Sequence, residues 1–146
     1  MTTAFSHFGI CVSDLGRSTR FYCEVLGVVP AESHQIGDEF GPLMGLEGVG
    51  LRSQFLRGDG LSIELLGFDS PSPVGDPVAR PLHQLGLTHL SITVDDVDAA
   101  AALVERWGGA VLSETRTALA LPGADADFLY CTDPDGTRIE LMRLPG

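Results

Sequence analysis

His7, Glu64, His89 and Glu140 are the residues of this 146-residue chain whose types and spacing point to chemistry. A shift of 82 residues carries His7 onto His89, and a shift of 76 carries Glu64 onto Glu140. Two imidazoles and two carboxylates suit a divalent metal ion such as Zn, Ni, Co, Mn or Fe, held at roughly 2.0–2.2 Å by nitrogen and oxygen. The two carboxylates would cancel the charge of the ion and so ease its burial. A carboxylate next to a bound substrate can also take up and return a proton. Alone, a histidine near the start of a strand is usually a packing or half-exposed residue, and a glutamate opposite an aliphatic face is usually solvated. Repetition of both types sets a shared metal site level with the plainer reading, a duplication that keeps its histidine for capping or packing.

The elements that must position these residues are written twice. "SHFGICVSD" at 6–14 returns as "THLSITVDD" at 88–96, each with a Ser or Thr, a His, alternating aliphatics and an Asp. Asp14 predicts the N-cap of a helix with Leu15, Tyr22 and Leu26 on one side and Gly27 as its stop. Asp96 predicts a second, with Val97, Ala100, Val104 and Trp107 at intervals of three and four, ended by Gly108 and Gly109. Strand patterns follow at about 28–33, 50–57 and 61–67, and again at about 110–116, 126–132 and 137–143. Each copy therefore reads β-α-β-β-β, an α+β class, closing in "LSIELLGF" and in "TRIELMRL". Within one domain over 1–146, module one spans about 4–67, a proline-rich linker about 68–84 and module two about 85–144.

Alternation along the strands sorts the side chains. Phe8, Ile10 and Val12 oppose His7, Gly9 and Cys11, and Leu90, Ile92 and Val94 oppose His89, Ser91 and Thr93. Ile63 and Leu65 oppose Glu64, while Ile139 and Leu141 oppose Arg138 and Glu140. Two sheets of this kind, aliphatic on one face and carrying His and Glu on the other, can close around a shared cavity. Arg138 is then a candidate for an anionic substrate group, and Arg52 and Gln54 on the third strand are similar cavity candidates. His34 and His83 have no repeat partner and fall in loop-like stretches, which reads as surface. The connections 34–50 and 68–85 are the natural substrate-covering loops.

Composition closes off other classes. The formal net charge of −11 speaks against nucleic acid and against an anionic membrane surface. All nine cations are arginine, so the absence of lysine removes Schiff-base chemistry. Cys11, Cys23 and Cys131 form no C-x-x-C pair and read as reduced, mostly buried small hydrophobes. No apolar run approaches the ~18 residues of a membrane span, and a cytoplasmic protein is expected.

With two β-α-β-β-β modules and the run "HFGICVSDLGRSTRFYCEVLG", the chain resembles the vicinal oxygen chelate superfamily. Its members include glyoxalase I, methylmalonyl-CoA epimerase, extradiol dioxygenases and the bleomycin- and fosfomycin-resistance proteins. The resemblance implies a curved, barrel-like mixed sheet with helices outside, a homodimer, and a divalent metal held by His7, Glu64, His89 and Glu140. It further implies a small-molecule substrate with vicinal oxygens. The reaction would be proton transfer next to a metal-chelated carbonyl, as in an isomerase, an epimerase or a glyoxalase-like lyase, with Glu140 or Glu64 moving the proton. "RSTRFYCEVLGV" is similar to the first helix of glyoxalase I, whose E-L-T-Y-N motif is absent here. "IELLGFDSPSP" and "GLTHLSITVDDVDAA" are similar to the epimerases. The third strand, "LRSQFLR", carries no carboxylate to act as a second epimerase base; Glu47, just before it, is the candidate in its place. An extradiol-type dioxygenase is the alternative if Glu64 stays off an iron, which would leave a two-His-one-carboxylate triad. A drug-binding resistance module without metal is the non-enzymatic alternative.

Overall fold

Asp14 and Asp96 each start a helix. The Asp14 carboxylate accepts a hydrogen bond from the Arg17 backbone N–H at 2.8 Å, and α1 runs from Leu15–Leu26. Gly27 ends it at φ 69°, a left-handed conformation that a side chain would strain. The Asp96 carboxylate accepts from the N–H groups of Asp98 and Ala99 at 2.9 and 3.0 Å.

The computed structural model describes residues 2–121 and 124–145, and the chain falls into two compact units, Met1–Gly75 and Asp76–Gly146. Unit one holds β1 (Phe8–Val12), α1, β2 (Val29–Ile36), a 3-10 turn at Asp38–Phe40, the short α2 (Gly41–Met44), β3 (Gly50–Gly58) and β4 (Leu61–Ser70). Its sheet runs β1-β4-β3-β2, with β1 parallel to β4 and the other pairs antiparallel. Unit two holds β5 (Leu90–Thr93), α3 (Val97–Arg106), β6 (Ala110–Val111), a 3-10 turn at Ser113–Thr115, β7 (Thr117–Leu121), β8 (Ala124–Thr132) and β9 (Arg138–Arg143). Here the order is β5-β9-β8-β6, again with the first and last strands parallel, and β7 pairs β8. Each unit therefore keeps the β-α-β-β-β order, with the short α2 inserted in the first and one further strand, β7, in the second. Among the described residues the strands make two open mixed sheets and no closed barrel. No helix among them is long and apolar enough to cross a membrane.

The aliphatic faces do what their alternation requires. Ile63 and Leu65 are fully buried, as are Ile139 and Leu141, and α1 and α3 pack on β4 and β9 respectively. Each such side chain contributes roughly 1.5–3 kcal/mol by leaving water. On the same face Gly67 lets α1 approach: a Cβ there would stand 3.0 Å from that of Leu15. The helix faces differ in detail from the expected ones, since α1 buries Ser18, Phe21 and Tyr22 and α3 buries Val97, Ala101 and Val104.

Two stretches depart from the expected elements. The strand expected at about 110–116 stops at Val111. Beyond it Thr115 Oγ1 donates to Leu112 O at 2.7 Å and accepts from Tyr130 N at 2.9 Å, so a side chain replaces the ladder there. In unit one, β2 continues through His34 to Ile36, so His34 lies on a strand rather than in a loop.

Candidate functional site

The parallel pairing of first and last strands brings one histidine to one glutamate in each unit. In unit one, Gly9 of β1 and Phe55 of β3 both pair with Glu64 of β4, so all three share a face. His7, at the mouth of β1, places Nε2 3.1 Å from Glu64 Oε2. Its Nδ1 lies 2.8 Å from Ser6 Oγ, and its ring stands edge-on to Phe55 at 5.1 Å. Ser53 Oγ donates to the other carboxylate oxygen, Glu64 Oε1, at 2.5 Å.

Unit two repeats the pattern with different supports. Ser91 of β5 and Tyr130 of β8 pair with Glu140 of β9. His89 Nε2 lies 3.4 Å from Glu140 Oε2, Thr88 Oγ1 lies 2.9 Å from His89 Nδ1, and the imidazole stands across the Tyr130 ring at 5.3 Å. Ser91 Oγ donates to Glu140 Oε2 at 2.6 Å. Among the described residues Glu140 Oε1 has no hydrogen-bond partner. Burial raises the Tyr130 phenol above its ordinary pKa, with the Glu140 charge adding to this and Arg138 opposing it.

Both pairs are half-buried, with side-chain exposures of 33% and 16% for His7 and Glu64 and of 26% and 19% for His89 and Glu140. As simple ion pairs at that exposure each would contribute about 0–1 kcal/mol, too little to account for such a repeated arrangement. The donor chemistry fits a metal better. In each pair a hydroxyl beside Nδ1 fixes the ring and points Nε2 at the carboxylate, which is how outer partners orient metal-binding histidines. Among the described residues no group of three or more His, Cys, Asp or Glu is gathered closely enough to hold an ion. The four expected ligands therefore stand as two pairs, one in each unit.

The remaining expected residues scatter. Arg138 shares the Glu140 face of β9 and stacks on the Tyr130 ring at 5.5 Å. Its Nε is buried without a hydrogen-bond partner. Arg52 and Gln54 do not join the site. They pair with Gly67 and Leu65, which puts them on the helix-bearing face, opposite Glu64; Gln54 there donates to the Phe55 carbonyl at 2.9 Å. Glu47 is exposed in the turn between α2 and β3, and His83 is exposed in a loop. His34, by contrast, pairs with Ser53 on the ligand-bearing face and meets the Phe55 ring edge at 6.0 Å. Alternation already sets Ser91 on the His89 face; Ser53, Phe55, Tyr130 and His34 are the site-face residues that it does not place. Ladder register is the signal that finds them, because each is defined by the residue across from it.

Comparison with known proteins agrees with this architecture. Residues 4–141 match the model of the Glyoxalase/Bleomycin resistance protein/Dioxygenase superfamily. The chain is 32% identical over 137 residues to the uncharacterized protein YaeR of Escherichia coli, covering 92% of each. It is 30% identical over 139 residues to a probable lactoylglutathione lyase of Vibrio parahaemolyticus, covering 94% of this chain and 88% of that one. Among solved structures, a glyoxalase family protein from Bacillus cereus superposes with a TM-score of 0.83 at 19% identity, covering 100% of this chain and 97% of that one. Two β-α-β-β-β units, each with a His–Glu pair across its parallel strands, together with these matches establish that the chain belongs to the Glyoxalase/Bleomycin resistance protein/Dioxygenase superfamily.

Proposed function

We propose that this protein is a divalent-metal-dependent isomerase, epimerase or glyoxalase-like lyase that moves a proton next to the carbonyl of a small substrate with vicinal oxygens. The observation that carries this reading is the recurrence of one unit's arrangement in the other. Each has a histidine backed by a hydroxyl at Nδ1 and a glutamate oriented by a serine. The 30% identity to a probable lactoylglutathione lyase supports the glyoxalase-like branch.

His7 with Glu64 and His89 with Glu140 would supply the ligands, from one chain or from two copies of it, and a bound divalent ion would supply Lewis acidity to two substrate oxygens and so acidify the neighbouring C–H. Ser6 and Thr88 keep the two imidazoles from rotating. Phe55 and Tyr130 pack against the imidazoles in edge contacts and help to hold their orientation. Glu140 is the proton carrier. Its Oε2 is engaged by Ser91 and faces His89, which leaves Oε1 with lone pairs for the substrate proton. Both oxygens of Glu64 are engaged, one by Ser53 and one by His7, so it serves as a ligand.

Elemental analysis of untagged protein, with His89→Ala and Glu64→Ala beside it, tests the reading. About one equivalent of divalent metal per site, lost in both variants, is the expected result. Turnover of a 2-oxoaldehyde–glutathione adduct then selects the lyase, and deuterium exchange at the α-carbon of an acyl-CoA selects the epimerase. Iron retained in Glu64→Ala, with oxygen uptake on catechols, would replace the proposal by a dioxygenase. No metal even after reconstitution would replace it by a binding module.

A further inference from the structure

We propose that Arg138 receives an oxyanion of the substrate, so that the proposed reaction acts on a carbonyl compound carrying a carboxylate or phosphoryl group. The assignment rests on the proton-transfer reading above for its substrate, and on the following observations for its residue.

Two arginines lie over site-face aromatics, one in each unit. Arg57 is stacked over Phe55 at 5.3 Å, and its donors are occupied: Nε and Nη2 bond to Glu32 at 3.1 Å each, and Nη1 to Ser62 at 3.1 Å. Arg138 is stacked over Tyr130 at 5.5 Å and has no such partners. Among the described residues it makes no ion pair within 4.0 Å and no side-chain hydrogen bond, and its Nε is shut off from solvent. Among them no other charged side chain has a buried, unpartnered nitrogen.

A guanidinium bonds in its own plane through a fixed fork of donors, while an aromatic ring takes its face. With Tyr130 beside the guanidinium and Nε closed off from solvent, the two terminal nitrogens of Arg138 are the donors left for a planar or tetrahedral oxyanion, which they can engage bidentately. Arg138 and Glu140 sit on the same face of β9, two residues apart, a separation of roughly 7 Å along a strand. The anionic group would thus lie one small-molecule length from the proton carrier. The surroundings make such a cation necessary. A chain of net charge −11 repels anions at long range, so an anionic substrate needs a local, uncompensated positive charge at the site.

The plainer role for Arg138 is packing, its stem covering the sheet. Side-chain Nε–Hε resonances of the full-length protein separate the two. The Arg138 signal is assigned by its loss in Arg138→Lys, and the protein is titrated with succinate, inorganic phosphate and the neutral succinamide, as purified and after chelation. A saturable shift of that signal with succinate or phosphate, persisting after chelation and absent with succinamide, is expected. Whichever anion gives it names the carboxylate or the phosphoryl class. Arg138→Met, which keeps the stem, should weaken that anion about tenfold or more; if it fails to fold, Arg138→Gln, which also removes the charge, gives the same comparison. No shift with either anion, an equal shift with succinamide, or unchanged anion binding in the folded variant would overturn the assignment. Metal analysis of the same samples keeps the two proposals apart. Metal-free protein that binds an anion through Arg138 removes only the metalloenzyme, and metal-bound protein whose Arg138 ignores both anions removes only this inference.

Discussion

Ser91 Oγ donates to Glu140 Oε2 at 2.6 Å across two parallel strands, and that same oxygen lies 3.4 Å from His89 Nε2. In the other unit the matching position is Gly9, which pairs with Glu64 as Ser91 pairs with Glu140. The orienting hydroxyl comes there from the antiparallel neighbour, Ser53, and binds the opposite carboxylate oxygen. One duplicated fold has therefore anchored its carboxylates in two ways, which among the described residues leaves one oxygen of Glu140 open and none of Glu64.

Ser53→Ala and Ser91→Ala should separate these anchors. Loss of an outer partner typically lowers metal affinity by about 10–100-fold, and both variants are expected in that range by chelator competition. Their stabilities should differ. Ser53 is fully buried, so its loss should cost about 1 kcal/mol in urea unfolding, whereas the exposed Ser91 should stay within about 0.5 kcal/mol of wild type. Unchanged metal affinity in both would remove the hydroxyls from the site.

Glu140→Gln and Glu64→Gln test the division of labour. With metal saturating, Glu140→Gln should lose about 10²–10⁴ in kcat, the usual contribution of a positioned base. Glu64→Gln should lose less, because Gln keeps a ligand oxygen and Glu64 carries no proton in this scheme. Equal losses in kcat would assign proton transfer to the pair rather than to Glu140.

The fold was largely legible because its strongest signals run along the chain. Ile63 and Leu65 about Glu64, and Ile139 and Leu141 about Glu140, alternate cleanly, and Asp14, Asp96 and Gly27 mark helix ends by local hydrogen bonds and backbone freedom. What escaped lies across the chain. "LRSQFLR" buries Leu51 and Leu56, which have opposite parity, so its faces cannot be sorted by alternation. Only the pairing of Phe55 with Glu64 shows that Ser53 belongs to the site and Arg52 and Gln54 do not. His34 was missed because β2 is an almost wholly exposed edge strand with a register break after Pro30. It shows no apolar period.

The three cysteines should react in order of access. Cys11 is exposed. The Cys23 thiol is raised above its ordinary pKa by burial and then by Glu24, and that of Cys131 is pushed up to about 11 by burial, with Glu105 adding. At pH ~8 the Cys131 thiolate fraction is on the order of 10⁻³, so it should be inert in the native state. A disulfide reagent should show one fast thiol, lost in Cys11→Ser, and three in guanidinium. Fast modification of Cys131 would mean that β8 opens readily.

Arg116 ties α3 to β8. It meets Asp98 at 2.8 Å and Asp127 through two bonds of 2.6 and 2.5 Å. Those bonds hold the Asp127 carboxyl below its ordinary pKa. Unfolded aspartate titrates near ~3.9. A carboxyl depressed in the native state contributes its full stability above that value and loses it as pH falls through the lower native one. Asp127→Asn should therefore cost about 1–2 kcal/mol at pH ~7, discounted for the partial exposure of Arg116. The difference between variant and wild type should shrink below pH ~4 as the wild-type carboxyl takes up its proton. Urea unfolding of both proteins at pH ~7 and pH ~3 measures it. An equal cost at the two pH values would mean that Asp127 acts through neutral hydrogen bonding, with no contribution from the charge of Arg116.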